Sequence, residues 1–129
     1  MVKLNWAQNK NEISNEAGVQ LSGNMGPNLD GGLSPKELLE GAVALCLSIT
    51  LQKVLERDAV EADLNEVEID VVASKAEGVE NHFAKFEVQV TFPSTFETAY
   101  KAKLLKIIER GCTISNTLVS DVAVEIVER

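Results

Sequence analysis

Apolar and polar positions alternate at the start of the chain. Val2, Leu4 and Trp6 are interleaved with Lys3, Asn5 and Ala7, the period of two that marks a half-buried strand. A turn around Asn9 to Asn11 follows, and Ile13 and then Val19 and Leu21 predict two further short strands separated by Asn15-Glu16-Ala17-Gly18. The first third is thus expected to be a small antiparallel meander. The pattern then stops at Gly23-Asn24-Met25-Gly26-Pro27-Asn28-Leu29-Asp30-Gly31-Gly32, a glycine-rich connection long enough to be functional. Ser34, Pro35 and Glu37 form a complete helix start: an N-cap, a proline in the first helical position and the glutamate of a capping box. The helix should run from Pro35 to Arg57, and from Leu38 to Leu51 it is apolar nearly all round, which predicts a buried central helix. After an acidic connection from Asp58 to Asn65, the period returns to two. Val67 to Ser74 and Phe83 to Phe92 predict a hairpin turned at Ala76-Glu77-Gly78-Val79-Glu80. Pro93-Ser94-Thr95 should cap a second helix, Phe96 to Arg110, with Gly111 as its stop. Cys112 to Val119 reads as a short third helix, and Val122, Val124, Ile126 and Val127 as a final strand.

Strands and helices are segregated rather than strictly alternating, so the expected fold class is α+β. At 129 residues the chain is expected to form one domain, residues 1–129, with a core large enough to need no disulfide or metal staple. The net charge of −8 argues against a nucleic-acid partner. Seven of those eight charges come from the stretch Glu56 to Glu80, whose carboxylates match no EF-hand loop and are expected to form a solvated face. The N-terminus has no apolar run suited to secretion, and the stretch Gly41 to Leu51 is shorter than the 20 or so residues that cross a bilayer. A soluble cytoplasmic protein, with no membrane partner, is the expectation.

Few groups are left to carry chemistry. Gly26 and Gly31 have P-loop spacing, but Gly32-Leu33 stands where Lys-Ser/Thr is required, so the loop reads as a lid or pocket edge. His82 is the lone histidine and falls in a turn; one histidine without a Cys-x-x-Cys cannot build the usual metal site, so no metal is expected. Two cysteines remain, 66 residues apart. Cys46 sits mid-helix, where an inert buried thiol is the default. Cys112 opens a helix beside Arg110, a setting that favours thiolate.

Ser34-Pro35-Lys36-Glu37-Leu38-Leu39 leading to Cys46, together with Cys112-Thr113-Ile114-Ser115-Asn116-Thr117-Leu118, resembles the OsmC/Ohr family of osmotically inducible and organic hydroperoxide resistance proteins. The resemblance covers nearly the whole chain. It implies an intertwined α+β homodimer with antiparallel sheets wrapped around central helices. It also implies a thiol peroxidase needing no cofactor. Cys46 would be the peroxidatic residue attacking a small hydrophobic peroxide, and Cys112 would resolve it as a disulfide that an external dithiol reduces. The chain departs from the family pattern in several places. The helix-start glutamate that pairs with an N-terminal arginine is replaced by Lys36, the first arginine is Arg57, and Thr113 follows Cys112 where proline is common. Lys36, Glu37 and Glu40 remain as possible pocket residues. Glu37 lies half a turn from Cys46 on a helical wheel, and Lys36 is about 15 Å from it along the axis. Glu40, interrupting the apolar run, either lines a polar cavity or sits on an exposed first turn. The alternative function is a non-catalytic dimer of the same fold that binds a small ligand or senses redox state.

Overall fold

The computed structural model describes residues 1–7, 10–24 and 31–129. It divides into two compact units, Met1–Gly41 and Ala42–Arg129. The elements are α+β in kind, and both sheets are antiparallel.

The first unit is the expected meander. Strands β1 (Val2–Ala7), β2 (Lys10–Asn15) and β3 (Gln20–Gly23) pair in the order β1-β2-β3. The register sets Leu4 opposite Ile13, and Ile13 opposite Leu21, so one face carries an aliphatic row across all three strands. Beyond β3, Leu33 returns to the sheet: its N–H donates to Ser22 O at 2.9 Å, and its carbonyl accepts the Asn24 N–H at 3.0 Å. Gly32 permits this approach, since a Cβ there would lie 2.5 Å from Ser22 O. Residues 25–30 of the glycine-rich loop, and with them most of the expected lid, lie outside the described residues.

Helix α1 (Pro35–Arg57) starts where the sequence places it. The Ser34 hydroxyl donates to Glu37 Oε1 at 2.9 Å, and the Glu37 N–H donates back to Ser34 Oγ at 3.2 Å, closing the capping box. At 23 residues α1 is long and apolar enough to cross a membrane by length and composition alone, which the count over Gly41 to Leu51 missed. In the second unit it behaves instead as a core helix. Val43, Leu47, Leu51, Val54 and Leu55 are buried together with Phe92, Leu104, Ile108 and Cys112. The opposite side of α1 is not covered by the described residues: Leu45 is 63% exposed and Ile49 42%. A helix apolar all round is therefore half buried here.

α1 ends on Ala59, which takes a left-handed conformation (φ 52°) while Val60 N–H donates to Leu55 O at 3.0 Å. That position favours glycine, because the left-handed region costs an L-residue about 1–2 kcal/mol. Glycine loses part of the gain to its greater unfolded freedom. Ala59→Gly is expected to stabilise the fold by about 0.5–1 kcal/mol, read as a higher urea midpoint at unchanged slope.

A short 3-10 turn, Leu64–Glu66, capped by Asp63, leads into β4 (Glu68–Ser74), which pairs with β5 (Lys85–Thr91). Ile69 faces Val90, Val71 faces Val88 and Ala73 faces Phe86, and this row carries the residues that meet the core. The hairpin turns at Gly78 (φ 76°), with Val79 N–H donating to Ala76 O. His82 is exposed beside it, 2.9 Å from Asn81 Oδ1. The acidic stretch is largely the solvated face expected, with some carboxylates used locally. Glu66 Oε2 accepts the Ser94 N–H at 2.9 Å, and Asp58 Oδ2 accepts the Tyr100 hydroxyl at 2.9 Å.

Helix α2 (Thr98–Gly111) begins two residues later than predicted. Ser94 and Thr95 do not cap it: the chain first turns at Pro93, whose carbonyl accepts the Phe96 N–H, and the N-cap is Glu97, whose side chain makes no capping bond. Helix α3 (Thr113–Leu118) follows directly, with Cys112 as its N-cap. The predicted final strand is absent: residues 121–129 have no regular structure, and Val124 (82%) and Ile126 (92%) stand in water. Alternation alone does not make a strand, which needs the hydrogen-bonding edge of another.

The Tyr100–Asp58 bond ties α2 to the end of α1. The Tyr100 hydrogen bond, opposed by partial desolvation and helped by Arg57 and Lys103, holds the Asp58 carboxyl below its ordinary value. Desolvation and the Asp58 bond and charge raise Tyr100 above its ordinary value. A depressed carboxyl stabilises the fold above its unfolded pKa of about 3.9 and loses that contribution as pH falls through the folded value. A raised phenol contributes below about pH 10 and loses it as pH rises through the folded value. Tyr100→Phe should therefore unfold at lower urea than the parent at pH 7, and the gap should close towards pH 3. A gap independent of pH would assign Tyr100 to packing alone.

Candidate functional site

The two cysteines meet in the second unit. Cys46 is partly buried, on the side of α1 that packs against the core, and Cys112 belongs to that core with no exposed surface. Both are free thiols. Cys112 is placed by the break between α2 and α3. As the N-cap of α3 it turns its sulfur back over the first turn, where Sγ accepts the Ser115 N–H at 3.3 Å. Burial pushes this thiol up, but hydrogen bonds from Ser115, from the Cys46 thiol and from the Ile114 N–H outweigh burial and hold it below the ordinary thiol value. The lowering anticipated at a helix start is present, though hydrogen bonds rather than the Arg110 charge carry it. A partly buried thiol thus packs beside a buried one whose ionisation is favoured relative to an ordinary thiol.

The other anticipated site residues lie in the first unit. Lys36 Nζ is 3.4 Å from Glu40 Oε1, an i,i+4 ion pair that accounts for the carboxylate interrupting the apolar run. Glu37 is occupied by the capping box. Two residues not singled out in the sequence bear on the thiols. Ser115 supplies the N–H to Cys112, a contact its i+3 spacing from an N-cap foreshadows. Thr50, at i+4 from Cys46, donates its hydroxyl to Cys46 O at 3.0 Å. The described residues contain no cluster of three metal-binding side chains.

An apolar cavity of about 350 Å3 opens between α1, β5 and α2, lined by Leu47, Phe86, Val88, Val90, Leu105 and Ile108, with Glu109 and Ser115 at its polar end. A second cavity of about 430 Å3 shares Phe86, Val88, Glu109 and Ser115 with it and continues towards Asn116 and Val119. Neither sulfur lines these cavities, but Ser115, which holds the Cys112 sulfur, lines both. Volumes of this order admit a small organic molecule.

The sequence profile described as OsmC-like protein matches residues 26–127, nearly four-fifths of the chain. The chain belongs to the OsmC-like family. Among relatives of this OsmC-like protein, the uncharacterized protein YmaD of Bacillus subtilis (strain 168) is 28% identical over 138 aligned residues, covering 97% of this chain and 89% of YmaD. An OsmC-like protein from Mycoplasma pneumoniae superposes with a TM-score of 0.76 at 14% identity, covering 92% of this chain and 85% of its own. The organic hydroperoxide resistance protein OhrB of Bacillus subtilis superposes with a TM-score of 0.66 at 20% identity, covering 94% and 90%. At these identities the two structures show that the fold is shared.

Proposed function

We propose that this OsmC-like protein is a thiol-dependent peroxidase that reduces organic hydroperoxides with the Cys46–Cys112 pair. The observation that carries the reading is the arrangement of the thiols: Cys112 is buried and held below the ordinary thiol value, and the partly buried Cys46 packs against the core cluster that contains it. In the first step Cys46 releases its proton to solvent and its sulfur attacks the peroxide oxygen. The S–O bond forms, the O–O bond breaks, and the alcohol leaves with a proton, so Cys46 becomes a sulfenic acid. The Cys112 thiolate then attacks the Cys46 sulfur; the S–S bond forms and the S–O bond breaks, with hydroxide taking a proton to leave as water. An external dithiol returns two electrons and two protons. The apolar cavity beside Ser115 suits a small hydrophobic peroxide. No cofactor takes part.

The working unit is a homodimer in the cytoplasm. The uncovered side of α1 at Leu45 and Ile49, the open edge of β1, and the unpaired tail at Val122, Val124 and Ile126 favour a second copy as the partner. One observation favours the non-catalytic alternative, a ligand-binding or redox-sensing dimer: Lys36 stands where the resemblance implies an activating glutamate and is paired with Glu40, and the nearby Glu37 is taken by the helix cap. Turnover decides between them. The protein should consume cumene hydroperoxide with a dithiol reductant, and Cys46→Ser should abolish it. Equal rates for parent and variant across several dithiols would remove the peroxidase reading.

A further inference from the structure

We infer that Thr50 and Gly111 act together as a positioning contact that sets how closely Cys112 approaches Cys46, an inference that rests on reading the two cysteines as a redox pair. Thr50 is β-branched, and its hydroxyl is anchored to Cys46 O at 3.0 Å, which holds its methyl in one orientation. A Cβ built on Gly111 would lie 2.8 Å from that methyl, inside the roughly 3.5–4.0 Å of ordinary carbon–carbon contact. Gly111 does not adopt a positive φ, so its backbone would accept a side chain; the glycine is required by space. The end of α2 therefore rests directly on the α1 turn that carries Cys46. The next residue is Cys112, fully buried, with its sulfur held by Ser115.

The geometry makes the spacing consequential. A disulfide needs Cβ atoms about 3.5–4.5 Å apart, so a displacement of a few tenths of an ångström acts on the oxidised state more than on the dithiol. A methyl at position 111 must either lift the end of α2 from α1 or turn Thr50 away from the Cys46 carbonyl. Either response moves one cysteine against the other.

The test is the equilibrium of the Cys46–Cys112 pair with dithiothreitol, in which the protein disulfide takes two electrons and two protons as dithiothreitol closes its ring. It uses no hydroperoxide. Gly111→Ala should shift this equilibrium towards the protein dithiol by about tenfold, equivalent to about 30 mV for two electrons. Thr50→Ser, which keeps the hydroxyl and removes the methyl, should stay within about threefold of the parent, and Thr50→Ser/Gly111→Ala should return there too. A purely structural role would lower the unfolding midpoint without this rescue of the potential. A parent-like equilibrium in Gly111→Ala overturns the assignment, as does a full shift that persists in the double variant. If Gly111→Ala does not fold, Thr50→Ser is compared with the double variant, and a tenfold difference between those two overturns it equally. A parent protein that forms no Cys46–Cys112 disulfide at any dithiothreitol ratio overturns the redox-pair reading itself; a parent disulfide with an unmoved Gly111→Ala overturns the positioning role alone.

Discussion

Cys112→Ser should turn over once and stop. With Cys46 intact the variant still opens the O–O bond, so a single equivalent of alcohol per chain is expected in the first mixing. The sulfenic acid then has no neighbour to attack it and must wait for an external thiol. Losing an intramolecular nucleophile held beside its target forfeits its effective concentration, so steady turnover should fall by roughly a hundredfold or more. The stalled enzyme should carry one added oxygen on Cys46, visible in the intact mass and trapped by dimedone. The burial of Cys112 sharpens the expectation: with no exposed surface, its sulfur meets Cys46 rather than a reductant in solution. Parent-like steady turnover in Cys112→Ser would take this residue out of the cycle and leave Cys46 working with external thiols alone.

The largest expected loss of stability is at Leu104. This side chain is fully buried on α2, in the same cluster as Val43, Leu47 and Ile108. Truncation to alanine removes its transfer free energy and leaves a void that the surrounding helices only partly close, at a cost of about 3–5 kcal/mol. Against a total stability of about 5–15 kcal/mol for a domain, that is a large fraction. Leu105 is the control: its neighbour in sequence, on the same helix, is 45% exposed and borders the cavity. Leu105→Ala should cost about 1 kcal/mol or less. Urea unfolding of the two variants checks this, and equal costs would mean that the packing of α2 is not as described.

Features encoded within a few residues of one another were legible in the sequence. Ser34 and Glu37 satisfy each other across one turn, so the start of α1 could be read to the residue. The hairpin turn at Gly78 and the exposure of His82 are local in the same sense. What failed depended on distant partners. Ser94 looked like a cap but is held by Glu66, 28 residues earlier. The tail alternates as a strand does, yet no strand edge among the described residues receives it. The sequence reads Gly111 as the stop beyond α2, but it is the last helical residue with Cys112 as the C-cap, and what excludes a side chain there is the Thr50 methyl on another helix. For the site, the thiols themselves could be found, and so could the lowering of Cys112 from its place at a helix start. Ser115 and Thr50, which hold the two cysteines, looked like ordinary helix residues until tertiary packing gave them a role.

The bare tail carries a colloidal consequence. Val122, Val124 and Ile126 are exposed apolar side chains at alternate positions, the pattern that stacks on identical segments of other molecules. Asp121, Glu125 and Glu128 stand within and around it, and the whole chain carries −8, so copies repel one another at neutral pH. Near the isoelectric point of about 4.6 that repulsion vanishes. Acidification towards that point is therefore expected to cloud a solution of any copies whose tails no partner covers, and turbidity against pH checks it.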